Sequence, residues 1–221
     1  MKVRFLAFFV LSVLCALAAV PVSANPSVLY DNTTASSYGT YAFTISPDWV
    51  VSDSFTLASA SVVNGATFAL WIPPGDSLTS VDWSISPNSG QGNFPSGTAT
   101  SFTTSLAPAP SWIFSIYGVD VELETFSIPS VSLAAGTYWF ELGDAATALG
   151  NTVYWDASNG PSSATQSVYV DGVTYYETSL WESQTFQIDG ATTATPEPAG
   201  FMLLGSGLIG LAALVRRKQR A

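Results

Sequence analysis

Asp120, Glu122 and Glu124 stand at alternate positions of Val119–Phe126, a run whose residue types favour a strand. Side chains alternate faces along a strand, so these three carboxylates share one. Paired carboxylates can hydrolyse glycosidic bonds when about 5 Å or roughly 6.5–9.5 Å apart. They can also hold calcium or another hard cation through oxygen. The plain expectation is neither of these: a charged, solvent-facing stripe that discourages edge-to-edge pairing. A carboxylate-dependent glycoside hydrolase is the alternative. The Asp-x-Glu-x-Glu order departs from the Glu-x-Asp-x-x-Glu of jelly-roll glycosidases, and no basic residue nearby could position a leaving group.

Aromatic residues supply a second kind of chemistry. The chain has seven tryptophans, Trp49, Trp71, Trp83, Trp112, Trp139, Trp155 and Trp181. Sandwich modules hold polysaccharides by laying exposed rings against sugars while Asp or Asn bonds the hydroxyls. Trp155 and Asp156 with Asn159 form the most suggestive local group for carbohydrate binding, although indoles on alternating strand positions are mostly core. Threonine pairs such as Thr98 and Thr100 do not recur as a regular array, so ice binding has little support.

Charge narrows the field. The net charge is −10, and all six basic residues lie at the ends: Lys2, Arg4, Arg216, Arg217, Lys218 and Arg220. The stretch from Asn25 to Thr195 holds 15 of the 16 carboxylates, all but Glu197, and no Lys, Arg or His. Nucleic acid is therefore not an expected partner, because its recognition rests on Lys and Arg. Histidine-dependent triads and a P-loop lysine are excluded for want of the residues. Zinc and haem sites lack their usual ligands, since the one cysteine is Cys15. No cofactor is implied, and calcium is the cation that such a polyanion would suit.

Positioning these groups falls to strands. Short runs rich in Val, Ile, Thr and aromatics alternate with Gly, Pro, Asn and Ser. Strands are expected near Tyr38–Ile45, Ser52–Leu57, Ala66–Ile72, Val81–Ile85, Ala99–Thr104, Trp112–Tyr117 and Val119–Phe126. Others follow near Thr137–Leu142, Val153–Trp155, Val168–Val170, Thr174–Glu177 and Gln184–Ile188. Asp171-Gly172 is a two-residue hairpin signal. The spacing predicts an all-β domain over residues 25–194, an antiparallel β-sandwich of jelly-roll type.

Both ends read as addresses. Met1-Lys2-Val3-Arg4, an apolar run from Phe5 to Val22 and the small residues before Ala24 form a secretory signal peptide, residues 1–24, cut between Ala24 and Asn25. Cys15 leaves with it. At the other end Pro196-Glu197-Pro198 stops any preceding structure. The uncharged span 199–215 follows, long enough as a helix for about 25 Å at roughly 1.5 Å per residue, near the lower limit for a bilayer. The basic end 216–221 stays cytoplasmic by the positive-inside rule.

Pro196-Glu197-Pro198, the span containing Leu203-Leu204-Gly205-Ser206-Gly207-Leu208, and the terminal Arg/Lys cluster resemble the PEP-CTERM sorting signal, also known as the ice-binding protein C-terminal domain. The resemblance covers residues 195–221. It implies recognition by an exosortase that cuts near the Pro-Glu-Pro, a transient inner-membrane anchor, and a Gram-negative exporter that makes exopolysaccharide. More loosely, Val51-Ser52-Asp53-Ser54-Phe55, Ala135-Gly136-Thr137-Tyr138-Trp139-Phe140, Val153-Tyr154-Trp155-Asp156 and Phe186-Gln187-Ile188 resemble extracellular domains that precede such tails. No activity follows from that likeness. The expectation is a non-enzymatic surface or exopolysaccharide-matrix protein, structural or carbohydrate-binding.

Overall fold

The computed structural model describes residues 27–33, 41–88, 96–107, 113, 116–170, 173–180 and 182–193, with 207, 208, 216 and 219 of the tail. Its strands are β1 (Ser27–Asp31), β2 (Ala42–Thr44), β3 (Trp49–Leu57), β4 (Ser61–Ile72), β5 (Leu78–Ser86), β6 (Ser96–Ala99) and β7 (Thr103–Leu106). They continue with β8 (Asp120–Leu133), β9 (Gly136–Thr147), β10 (Tyr154–Ser158), β11 (Thr165–Val170), β12 (Val173–Ser179), β13 (Ser183–Gln184) and β14 (Phe186–Thr192).

These strands build two antiparallel sheets. The first runs β1-β14-β4-β10-β13, with β8 on the other side of β4, β7 beyond β8, and β2 beside β10. The second runs β12-β11-β3-β9-β5-β6. Alternate positions of both sheets meet in one core: Phe55, Ile85, Phe140 and Leu142 from the second sheet, Phe68, Leu70, Trp155, Phe186 and Ile188 from the first. Phe140, Trp155 and Phe186 meet with ring centroids 5.5–5.7 Å apart, Trp155 edge-on to both phenylalanines. Each such side chain stabilises the fold by about 1.5–3 kcal/mol through burial. The architecture is therefore all-β, as expected, with two antiparallel sheets sharing one core. The chain changes sheet at most connections, as Greek-key and jelly-roll chains do.

Two expected strands turn out otherwise. The Ala99–Thr104 strand is split, because β6 belongs to the second sheet and β7 to the first, and the chain crosses between them at 100–102 with Phe102 packed on the core. The Trp112–Tyr117 segment does not pair with a sheet where it is described. Ile113, Ile116 and Tyr117 are helical, and Ile113 is buried in a second, smaller core with Ala69, Trp71 and Val121. A short apolar run fits a helical turn as well as a strand, and periodicity alone does not separate them.

The Asp171-Gly172 signal is met by its flanks: β11 and β12 pair antiparallel with Val170 opposite Val173. Pro129 lies within β8, where the pairing with β4 slips between Val63 and Gly65, the kind of bulge that accommodates a residue without an N–H. The expected signal peptide, including Ala24 and Asn25, lies outside the described residues, as do Pro196, Glu197 and Pro198. So does the 199–215 span except Gly207 and Leu208, which are helical. Among the described residues, no helix is long and apolar enough to cross a membrane.

Candidate functional site

The outer face of the first sheet carries an aromatic cleft. Trp71, the penultimate residue of β4, lies on the face away from the main core. Tyr154 of β10 lies directly opposite it, and two residues further along Asp156 lies opposite Ala42 of β2. Directly opposed residues share a face, so register alone gathers Trp71, Tyr154 and Ala42. Tyr41 precedes β2, while Tyr117 and Val119 come from just before β8. Together the six line a half-open cleft of about 380 Å³, within the roughly 300–1,000 Å³ usual for ligand sites. Tyr41 and Tyr117 are more than half exposed and Tyr154 is 37% exposed. Trp71 forms the floor, its ring 5.0 Å from that of Tyr117 and tilted by 45°.

Asp156 sets the floor's orientation. It is fully buried, and its Oδ1 accepts the Trp71 indole N–H at 2.6 Å while its Oδ2 accepts the Thr185 hydroxyl at 2.9 Å. The Thr185 carbonyl accepts the Trp155 indole N–H at 2.9 Å. These contacts correct the sugar-binding group read from sequence. Trp155 is fully buried in the main core and Asp156 is committed to Trp71 and Thr185, so of Trp155, Asp156 and Asn159 only Asn159 is exposed. A strand places neighbours on opposite faces, and here the face of Trp155 is the inner one. The cleft that does form uses the residue before it, Tyr154, together with tyrosines that local pattern does not mark. Of the other tryptophans, Trp83 is buried, Trp49 and Trp139 are half-buried, and Trp112 and Trp181 lie outside the described residues.

The carboxylate stripe shares a face as expected, but it is the inner face. Asp120, Glu122 and Glu124 lie opposite Ile72, Leu70 and Phe68, all fully buried. Glu124 is buried and Asp120 and Glu122 are half-buried, which overturns the solvent-facing expectation. The neighbouring edge strand β7 supplies Thr104, directly opposite Glu124, whose hydroxyl is 3.0 and 2.9 Å from the two Glu124 oxygens. Burial pushes the Glu124 carboxyl up to about 7, against the Thr104 hydrogen bond and with help from the Glu122 charge. Glu122 is raised by burial and then by the charges of Asp120 and Asp76.

Other buried carboxylates are met by N–H and O–H groups, as a domain without basic residues requires. Asp53 of β3 accepts the Ser183 hydroxyl and the Gln184 N–H of β13 at 2.6 Å each, which ties the sheets together. Its pKa is still raised, because desolvation outweighs those bonds. Glu141 accepts the Ser84 hydroxyl at 2.5 Å. Asp76 works in the opposite direction. Its desolvation is outweighed by hydrogen bonds from Thr147, Asn151 and the Ser77 and Leu149 N–H groups, and its pKa falls to about 2. Among the described residues, no three carboxylates converge as a metal site.

Comparison with known families places the address of the chain. Residues 194–218 match the PEP-CTERM protein-sorting motif. A protein with this tail is exported across the membrane and sorted by exosortase, its processing partner. The match covers the tail and leaves the sandwich to its own geometry. Comparison with curated proteins finds no match.

Proposed function

We propose that this is a non-enzymatic protein of the cell surface or exopolysaccharide matrix, and that its sandwich binds carbohydrate. The observation that carries this reading is the cleft of Tyr41, Trp71, Tyr117 and Tyr154 on the outer sheet face. A pyranose ring presents apolar C–H faces and a rim of hydroxyls, and tyrosine offers the matching combination of flat apolar ring and polar tip. The C-terminal motif supports the location, since an exosortase substrate is delivered outside the inner membrane. In this reading the signal peptide is removed at Ala24–Asn25, the apolar tail holds the precursor in the membrane, and exosortase releases it. The hydrolase alternative gains nothing from the Asp120–Glu124 stripe, which faces the core and whose most buried member, Glu124, is 1% exposed and hydrogen-bonded to Thr104.

A glycan array probed with the full chain in detergent tests the binding reading, with Tyr154→Ala alongside. Retention by at least one glycan, weakened in the variant, is expected. Equal retention of both proteins would place binding elsewhere on the molecule.

A further inference from the structure

We infer that the ligand of the aromatic cleft is an uncharged polysaccharide; this rests on the carbohydrate-binding reading and specifies its ligand class. Three observations on the cleft and its setting point the same way. Among the described residues its lining, Tyr41, Ala42, Trp71, Tyr117, Val119 and Tyr154, contains no ionisable group other than phenols. Beneath its floor lies the carboxylate of Asp156, hydrogen-bonded to the Trp71 indole. The remainder of the chain from Asn25 to Thr195 holds no Lys, Arg or His with which to meet an anion, against 15 carboxylates.

A uronate, sulfate or phosphate entering this cleft would lose part of its hydration and gain no counter-charge, a cost that binding sites avoid by pairing the charge. It would also approach a domain of uniformly negative field, which slows encounter as well as weakening the complex. A neutral glycan meets neither obstacle. Its ring faces can lie against the exposed rings of Tyr41, Tyr117 and Tyr154 over the Trp71 floor, while its hydroxyls reach the phenol oxygens at the rim. Concavity favours a chain laid in the cleft over a flat protein partner, which would need roughly 1,000 Å² or more of matching surface. Quaternary ammonium ions also favour aromatic sites and bind best to indole, but Trp71 is only 6% exposed, so the cleft offers a cation tyrosine rings alone.

Affinity electrophoresis of the full chain in detergent tests the inference. The probes are neutral gels (β-glucan, xylan, galactomannan and dextran) and anionic gels (alginate, polygalacturonate and hyaluronan), each at low and high sodium chloride, with choline as competitor. Retardation by at least one neutral gel, unchanged by salt, blind to choline and weakened about tenfold or more by Tyr154→Ala or Tyr41→Ala, is expected. Thermal melting of the variants confirms that they fold, since both rings are surface groups. Retardation by anionic gels as strong as by any neutral one would overturn the choice of neutral ligand and leave the carbohydrate reading standing. Displacement by choline would assign the cleft to a cation instead. Absence of retardation by every gel would remove the carbohydrate reading itself, and this inference with it.

Discussion

Replacing Glu124 by Gln should stabilise the protein at pH 8 and leave it nearly unchanged at pH 5. The carboxyl sits opposite Phe68 on the inner face of β8, with the Thr104 hydroxyl as its hydrogen-bond donor. A shift from the ordinary 4.5 to about 7, at about 1.4 kcal/mol for each tenfold change in proton affinity, corresponds to about 3 kcal/mol. Water reaching the half-buried end of the stripe screens part of this, so about 1–3 kcal/mol is expected. The sign follows from linkage. Between the ordinary value and about 7 the folded state holds a proton that the unfolded state has released, so stability rises as pH falls through that window and levels off below it. Above the window both states are ionised and the folded one carries the full cost. Asp53 and Glu122, also raised, act in the same direction. The trend reverses in strong acid, where the Asp76 carboxylate, held down at about 2, is protonated and its bonds to Ser77, Leu149 and Asn151 are lost. Calorimetry of wild type and Glu124→Gln at both pH values reads the effect, at roughly 2–4 °C per kcal/mol for a domain of this size. A variant that melts lower than wild type at pH 8, combined with a wild type that loses stability between pH 8 and 5, would refute the reasoning, because it would mean that the ionised carboxylate is well bonded.

Asp156→Ala should cost about 2–4 kcal/mol by stranding the buried Trp71 N–H and Thr185 hydroxyl, whereas Asp156→Asn keeps an acceptor for Trp71 and should lose less; denaturant melts distinguish the two. Phe186→Ala removes the ring between Phe140 and Trp155 and should destabilise by about 3–5 kcal/mol, read as a lower urea midpoint with an unchanged slope. Replacing Pro196, Glu197 and Pro198 by alanine should leave the chain in the membrane fraction, while intact mass of the released wild type should show a start at Asn25 and no Arg216–Arg220 cluster. Release of the alanine variant at the wild-type level would separate sorting from the motif.

How far the sequence alone reached differs between the parts of this molecule. The sorting tail is a linear signal, read by order and spacing along the sequence, so Pro196-Glu197-Pro198, the apolar span and the basic end identify it without any fold. Strands were legible for the related reason that alternation is local: the Ser52–Leu57 and Val81–Ile85 runs lie within β3 and β5. Composition also determined how buried carboxylates must be satisfied, since a domain without basic residues has only N–H and O–H donors to offer, as Asp53 and Asp156 show.

Which face of each strand is inside was decided by tertiary pairing. Alternation shows that Asp120, Glu122 and Glu124 share a side, but only the register against Ile72, Leu70 and Phe68 shows that this side is the core. The same applies to Trp155 and Tyr154, adjacent in sequence and separated by the thickness of the sheet, one packed on Phe140 and the other opposite Trp71. The cleft draws on residues from 41 to 154, brought together because β2 and β4 both pair with β10 and because Tyr117 and Val119 line the same cleft. A site assembled from such distant positions has no spacing of its own to read, and the physical reason is that sheet pairing, unlike strand alternation, is a long-range choice made by the burial of the whole core.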